Sequence, residues 1–233
     1  MTAWHLFYAH HFEGNPSETI ARLLKDKNSY ILFDNKQHFH FKDCVFEREE
    51  LDMVILELDV PEGHQLPPPL PLGSISVYLP KVTIIGYDGH GGKQIDVNCP
   101  TFHVSKEECC LARQYLHRVG FREDWYNGQR YCGEWYEDLT QPHFLPLKTH
   151  FAHGASGSPV VVPYKGKPLV IAMLIKGYPE FYWDLDDNDK RLIDERFIMK
   201  VAVKVSMFDM NESMDDSAED MDWSETEDYM DTS

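Results

Sequence analysis

Apolar and polar residues alternate over much of this chain, which is the pattern of half-buried β-strands. In the first sixty residues the pattern predicts strands over 30–33, 38–46 and 53–58. Beyond a proline-rich stretch it predicts strands over 75–79, 82–87, 94–97, 148–152, 158–163 and 169–176. The sequence therefore predicts a mostly β protein whose strands fall into two clusters.

Three other segments carry helical spacing. One begins with Pro16 at its first helical position, and a second over 105–119 opens with Ser105 and Glu108 in a capping-box pattern. The second helix repeats apolar residues every four positions: Leu111, Tyr115 and Val119. A final helix is predicted after Asp187 because apolar residues line one side of it: Leu192, Ile193, Phe197, Val201 and Val205.

The chain has 233 residues, of which 42% are hydrophobic, enough for one large domain or two small ones. Five prolines between 61 and 71 cannot join a sheet ladder, so we expect a linker over 61–73 between a unit at 1–60 and another at 74–207. Eleven Asp and Glu and no Lys or Arg lie in 209–233. Such a composition predicts a disordered acidic tail over 208–233.

Cysteine content, apolar runs and net charge indicate the compartment of this protein and the kinds of binding site that we do not expect. Five cysteines, two of them adjacent, do not form the pattern of a secreted disulfide framework, so we expect a reducing compartment. The N-terminus lacks the pattern of a signal peptide, and no apolar run is long enough for a membrane span. A net charge of −17 gives no sign of a basic nucleic-acid surface. We therefore expect neither a membrane nor a direct nucleic-acid site.

Three residues in separate segments carry the chemistry of a nucleophilic hydrolase. A serine hydroxyl becomes a nucleophile when an imidazole takes its proton, and a carboxylate can orient that imidazole. His5 near the start, Asp52 before an apolar run and Ser156 in a glycine-rich turn follow one another in that order. The sequence predicts His5 as the general base, Asp52 as the orienting acid and Ser156 as the nucleophile.

The turn around Ser156 carries a further prediction. Gly154 and Gly157 allow a tight turn, in which the amides of Gly154 and Ser156 can face one developing oxyanion. Gly, Ser and Pro are also the ordinary residues of a turn between strands, so a purely structural turn is the alternative. The joint occurrence of all three segments favours the catalytic interpretation.

These segments resemble the trypsin and chymotrypsin superfamily of serine proteases. The resemblance lies in residues 2–5, 50–56 and 154–159 and covers about residues 1–207. More closely, residues 50–58, 84–86, 92–96 and 151–160 resemble the intracellular proteases called family with sequence similarity one-eleven. The resemblance implies an all-β fold, a chymotrypsin-like double six-stranded β-barrel with helical insertions. In this chain the first barrel would lack its N-terminal strands.

The narrower family implies a nuclear serine endopeptidase in DNA replication and repair, with the cytoplasm as the alternative location. Its substrates would be proteins, including chromatin or replication-fork proteins, and no cofactor is implied. By position, His150 corresponds to the base of the primary pocket, and Ile175, Lys176 and Gly177 to the strand that pairs with substrate. Because His150 brings no carboxylate, we expect an apolar or aromatic substrate side chain there.

Two alternatives stay open at this point. The superfamily places at least two strands before the base motif, whereas one residue precedes Thr2 here. We expect either a longer protein or an open first barrel. In the second case the chain would be a catalytically impaired, protease-like binding module whose acidic tail recruits a basic partner.

A metal site is the remaining alternative, since several potential ligands share one region: His5, His10, His11, His38, His40 and Cys44. Their spacing matches neither a Cys-x2-Cys nor a His-Glu-x2-His motif, so we expect no metal.

Overall fold

A computed structural model of the chain describes residues 1–3, 16–74, 79–87, 92–121, 136–151 and 154–208. Strands account for most of the regular structure in these ranges, and they form one four-stranded and one six-stranded sheet. The prediction of a mostly β protein with two clusters of strands is confirmed. No helix in these ranges is long and apolar enough to cross a membrane.

The first sheet is antiparallel and built from the N-terminal strands. It contains β1 (Thr2–Ala3), β2 (Tyr30–Leu32), β3 (His38–Arg48) and β4 (Met53–Asp59) in the order β1-β4-β3-β2. Two register shifts in the β3–β4 ladder curl the sheet, as β-bulges do. Helix α1 (Pro16–Lys25) packs Ile20 against Val54 of β4. The strands predicted from 30 to 58 and the helix at Pro16 are confirmed.

The second sheet has the order β6-β5-β8-β9-β10-β7. Its strands are β5 (Lys81–Gly86), β6 (Gln94–Pro100), β7 (Phe144–Leu147), β8 (Pro159–Tyr164), β9 (Lys167–Tyr178) and β10 (Met199–Lys204). The outer strands meet, because Thr101 forms a bridge with Leu147 and the Lys148 amide donates to the Pro100 carbonyl at 2.9 Å. The sheet therefore curls until its two edges touch.

The proline-rich stretch ends against the second sheet. Leu72 forms a parallel bridge with Val170 of β9, and the Gly73 amide donates to the Val170 carbonyl at 3.0 Å. Most of the strand predicted over 75–79 lies outside the described residues, as do residues 209–233 of the tail predicted over 208–233 and residues 122–135.

The predicted final helix is wrong. Helix α3 covers only Asp187–Lys190, and β10 pairs with β9 and β7 where the helix was expected. Residues 193, 197, 201 and 205 recur every four positions, and a spacing of four also fits the two-residue period of a strand. Since Val201 and Val203 are β-branched and buried in the sheet, the strand is the better choice.

The strand predicted over 148–152 is also misplaced, because β7 ends at Leu147. Pro146 weakens the strand pattern in the sequence. The sheet accommodates Pro146, whose carbonyl accepts a hydrogen bond from the Phe102 amide at 3.1 Å.

Helix α2 (Lys106–Arg118) begins at the predicted cap. The Glu108 amide donates to Ser105 Oγ at 3.1 Å, and the Glu108 carboxylate accepts from the Ser105 amide at 2.7 Å. The buried face includes the residues that repeat every four positions only in part, since Tyr115 is half-buried. Leu111 is 58% exposed, whereas Cys109, Ala112 and Leu116 are buried.

Two apolar cores hold the sheets. The first core joins Ala3, Leu51 and Met53 of the N-terminal sheet to Met173 and Ile175 of β9, together with the buried face of α2. The second core fills the inside of the six-stranded sheet and includes Phe151, Ala155, Leu174 and Ala202. Burial of this much apolar surface is the main stabilising contribution to such a fold. The first core thus packs β1 and the segment around Asp52 against β9.

Candidate active site

Strand β1 joins the other two predicted catalytic segments. It pairs Thr2 with Val54 and Ala3 with Met53, so it lies beside the residues that follow Asp52. Thr2 also lies against the turn that holds Ser156, because a Cβ added to Gly157 would be 3.0 Å from Thr2 Oγ1. The fold thus brings the start of the chain, the Asp52 segment and the Ser156 turn together. His5 itself lies outside the described residues, two positions beyond β1.

Asp52 closes a short 3-10 turn, Glu49–Leu51. Its backbone is left-handed, with φ 51° and ψ 48°, and its amide donates to the Glu49 carbonyl at 2.9 Å. Aspartate tolerates this conformation better than most residues with a Cβ. The buried side chain of Leu51 fixes the turn in the first core, so the half-buried Asp52 sits at a defined position before β4.

Positive φ angles at two glycines produce the turn that carries Ser156. Gly154 has φ +88° and Gly157 has φ +89°. Ala155 between them is 1% exposed in the second core and anchors the turn. The Ser158 amide donates to the Ala155 carbonyl at 3.0 Å, so the turn closes over Ser156. The geometry is that of a tight, well-held loop with one hydroxyl at its tip.

The polar groups of this turn suit acyl transfer. Ser156 Oγ is half-buried and donates to the Ile175 carbonyl at 2.8 Å. Among the described residues, the amides of Gly154 and Ser156 donate to no protein acceptor. Two unused amides beside a serine hydroxyl are what an oxyanion hole requires.

His150 is held by Asp96. His150 Nδ1 lies 2.9 Å from Asp96 Oδ2, and the His150 amide donates to the same oxygen at 3.0 Å. Burial by itself raises the pKa of Asp96, but hydrogen bonds from Thr149 and from the His150 amide outweigh it and hold the pKa below its usual value. The His150 side chain is 54% exposed and stacks on Phe151. Its predicted contact with substrate stays a prediction.

The predicted substrate-binding strand lies at the end of β9. Its pairing with β8 ends at Met173, so Ile175, Lys176 and Gly177 extend past the end of β8 while β10 continues on their other side. The Lys176 ammonium pairs with Glu180 at 3.4 Å. An extended peptide can add to such a segment by backbone hydrogen bonds.

Two residues that the sequence did not point to lie beside this strand. A Cβ added to Gly177 would be 2.9 Å from Lys200 Nζ and 2.9 Å from Trp183 Nε1. Lys200 is 6% exposed, and burial lowers the pKa of its ammonium to about 7. The Trp183 ring centroid lies 3.5 Å from Lys200 Nζ. In the sequence, Lys200 occupies a polar position within an alternating strand, which carries no signal of burial.

A cleft of about 520 Å³ lies elsewhere on the second sheet. Its lining includes Phe102, His103, Phe144, Lys204 and Ser206, and neither Asp52 nor Ser156 belongs to it. In the part of the chain that the structure describes, no group of three or more His, Cys, Asp or Glu could hold a metal ion.

The chain matches no protein-family profile and no curated protein.

Proposed function

We propose that this chain is a serine endopeptidase that uses His5, Asp52 and Ser156 to hydrolyse peptide bonds of proteins. The observation that carries the proposal is the contact of Thr2 with Gly157, made while β1 pairs with the strand that follows Asp52. The segments next to His5, Asp52 and Ser156 meet there although they are far apart in sequence, and His, Asp and Ser are the residue types of a catalytic triad.

The proposed reaction begins with attack of Ser156 Oγ on the carbonyl carbon of the scissile bond. His5 takes the hydroxyl proton, and Asp52 orients the imidazole and stabilises its charge. The amides of Gly154 and Ser156 stabilise the oxyanion of the tetrahedral intermediate. As the C–N bond breaks, the proton passes from His5 to the leaving amine, and an acyl-enzyme remains. Water then attacks the ester with His5 as base and releases Ser156.

Before attack, Ser156 Oγ must exchange its hydrogen bond to the Ile175 carbonyl for one to His5. A rotation about the first side-chain torsion is sufficient for such an exchange. The substrate backbone would add along residues 175–177, which extend past the end of β8.

The proposal includes the finer fold and the cellular role. The six-stranded sheet would be one barrel of a chymotrypsin-like pair, and the four-stranded sheet would form part of the other. By resemblance, the enzyme would act in the nucleus on chromatin or replication-fork proteins.

Labelling by a fluorophosphonate probe tests the proposal, because the probe reacts with activated serines. We expect the chain to be labelled and Ser156→Ala to abolish labelling, while turnover of a protein substrate falls by roughly a millionfold. Ser158→Ala, two positions along the same segment, is the matched control and should retain labelling. Equal labelling of the Ser156→Ala protein would exclude Ser156 as the nucleophile.

A folded chain that no probe labels would favour a second function, that of a protease-like binding module. The acidic composition of residues 209–233 favours recruitment of a basic partner such as a histone. In that case, removal of residues 209–233 should abolish binding of a histone-tail peptide, and unchanged binding would exclude this role.

A further inference from the structure

Lys200 points to the inside of the second sheet. It lies on β10 two residues before Ala202, and residues at that spacing share one face of a strand. Ala202 belongs to the second core with Phe151 and Ala155, and Ala155 directly precedes Ser156 in the chain. Lys200 is paired with Gly177 across the β9–β10 ladder, and its ammonium occupies the space that a side chain at 177 would fill.

The charge of Lys200 has no anionic partner among the described residues. Burial is the cause of its lowered pKa, and no described carboxylate contributes to that shift. The face of Trp183 is its close electrostatic partner. A buried ammonium without a carboxylate lowers stability. The Lys200 ammonium lies beside a candidate active site, so it is a candidate for binding an anion.

Lys200 is also close to the reacting groups in the fold. Gly177 lies two residues beyond Ile175, whose carbonyl accepts the hydrogen bond of Ser156. Two residues of a strand span about 7 Å, which is the reach of one extended side chain. A substrate residue with its carbonyl at Ser156 and its backbone along 175–177 can therefore direct its side chain towards Lys200.

We propose that Lys200 makes this protease selective for an acidic residue, Asp or Glu, immediately before the scissile bond. This inference rests on the proposed function and replaces the apolar or aromatic preference expected from His150. The substrate carboxylate would supply the anion that Lys200 lacks, and the absence of a side chain at Gly177 leaves the Lys200 ammonium next to the substrate-binding strand.

Trp183 would act as the cover of this pocket. It belongs to the 3-10 segment Glu180–Asp184 and is half-buried, so it separates Lys200 from solvent. In the free protein its ring face makes a cation–π contact with the Lys200 ammonium. A carboxylate binds an ammonium more strongly than an aromatic face does, so an acidic side chain can displace the ring.

Peptide binding to Ser156→Ala protein tests the selectivity without requiring turnover. The probes are four acetylated hexapeptide amides that are identical except for Asp, Glu, Leu or Phe at the fourth position. We expect calorimetry to show at least tenfold tighter binding of the Asp and Glu peptides. Adding Lys200→Met should abolish that preference, because a neutral side chain cannot pair with the carboxylate.

Lys204→Met in the same strand is the matched control and should keep the preference for Asp and Glu. Lys200→Gln serves as a second neutral variant, and circular dichroism checks that each protein is folded. Equal binding of all four peptides, or an acidic preference that survives in a folded Lys200 variant, would overturn the inference. Fluorophosphonate labelling of the chain with Ser156 intact reports separately on the proposed function, so the two failures are distinguishable.

Discussion

Thr2 lies against Gly157, with its Oγ1 only 3.0 Å from the position that a Cβ at residue 157 would occupy. This contact links the strand that leads to His5 with the turn that holds Ser156. Two separate features thus require glycine at 157, its φ of +89° and the closeness of Thr2.

Gly157→Ala is expected to lower both stability and labelling by a fluorophosphonate probe. The left-handed backbone alone costs about 1–2 kcal/mol for a residue with a Cβ. The contact with Thr2 adds to that loss and shifts the Ser156 turn away from β1. Urea denaturation and probe labelling measure the two effects.

Gly166→Ala is the matched control, since Gly166 has φ +74° and nothing lies within 4 Å of an added Cβ. We expect it to show the backbone cost without loss of labelling. If both variants lose equal stability and keep full labelling, the contact between Thr2 and Gly157 does not position the site.

Asp96→Asn is expected to destabilise the segment before Ser156. The carboxylate accepts hydrogen bonds from Thr149 and from the His150 amide, and charge-assisted bonds contribute roughly 1.5–3 kcal/mol each. Because the pKa of Asp96 is lowered in the folded state, its stabilisation is present above the unfolded pKa of about 4 and is lost as the pH falls below it.

Urea denaturation at pH 7 and pH 3 tests this prediction. Wild type should exceed Asp96→Asn in free energy of unfolding at pH 7, with a smaller difference at pH 3. The exposed Asp187→Asn should change little at either pH. An equal difference at both pH values would show that the charge of Asp96 is unimportant.

Ser105→Ala is expected to lower the free energy of unfolding by about 1 kcal/mol, because the Glu108 amide loses its capping oxygen. Glu108→Gln preserves the capping-box pattern and should cost less. Urea denaturation of both variants measures the two losses in free energy of unfolding. A larger loss for Glu108→Gln than for Ser105→Ala would contradict the assigned cap.

Lys200→Met is expected to stabilise the protein near neutral pH. With a folded pKa of about 7 against about 10.4 when unfolded, Lys200 binds more protons in the unfolded chain between these values. The free energy of unfolding of wild type should therefore rise with pH from about 7 to 10, by at most about 1.4 kcal/mol per unit.

The advantage of Lys200→Met should be greatest at pH 7 and vanish near pH 10. The charged groups on adjoining segments are Lys176, Glu180, Asp184 and Lys148, and they are unchanged in both proteins. Urea denaturation at four pH values between 7 and 10 follows the difference. A constant difference across this range would show that Lys200 has its ordinary pKa.

Local signals were predictable from the sequence. The cap of α2 depends on two residues three positions apart, so the pattern of Ser105 and Glu108 sufficed. Strands β2 and β4 correspond to apolar runs and β3 to an alternating segment, and each was predicted within a few residues of its bounds. The last helix was predicted wrongly because apolar residues every fourth position suit helix and strand alike, and pairing with β9 and β7 decides between them.

The site was predictable only in part. A serine with glycines close on both sides predicts a tight turn, and Gly154 and Gly157 do have positive φ angles. The burial of Lys200 depends instead on the curl of a six-stranded sheet and on Trp183 covering the strand from a distant segment. The residues near Lys200 in the sequence therefore do not predict its burial.

The two sheets differ in the contacts that hold their edge strands. The bridge between Thr101 and Leu147 joins the edges of the larger sheet, whereas two residue pairs join β1 to β4 within the described residues. Heat or denaturant should release β1 first and break the contact between Thr2 and Gly157 while the larger sheet stays intact. Loss of the proposed activity and loss of fold would then be two successive transitions, and a ligand that stabilises β1 would increase the proposed activity.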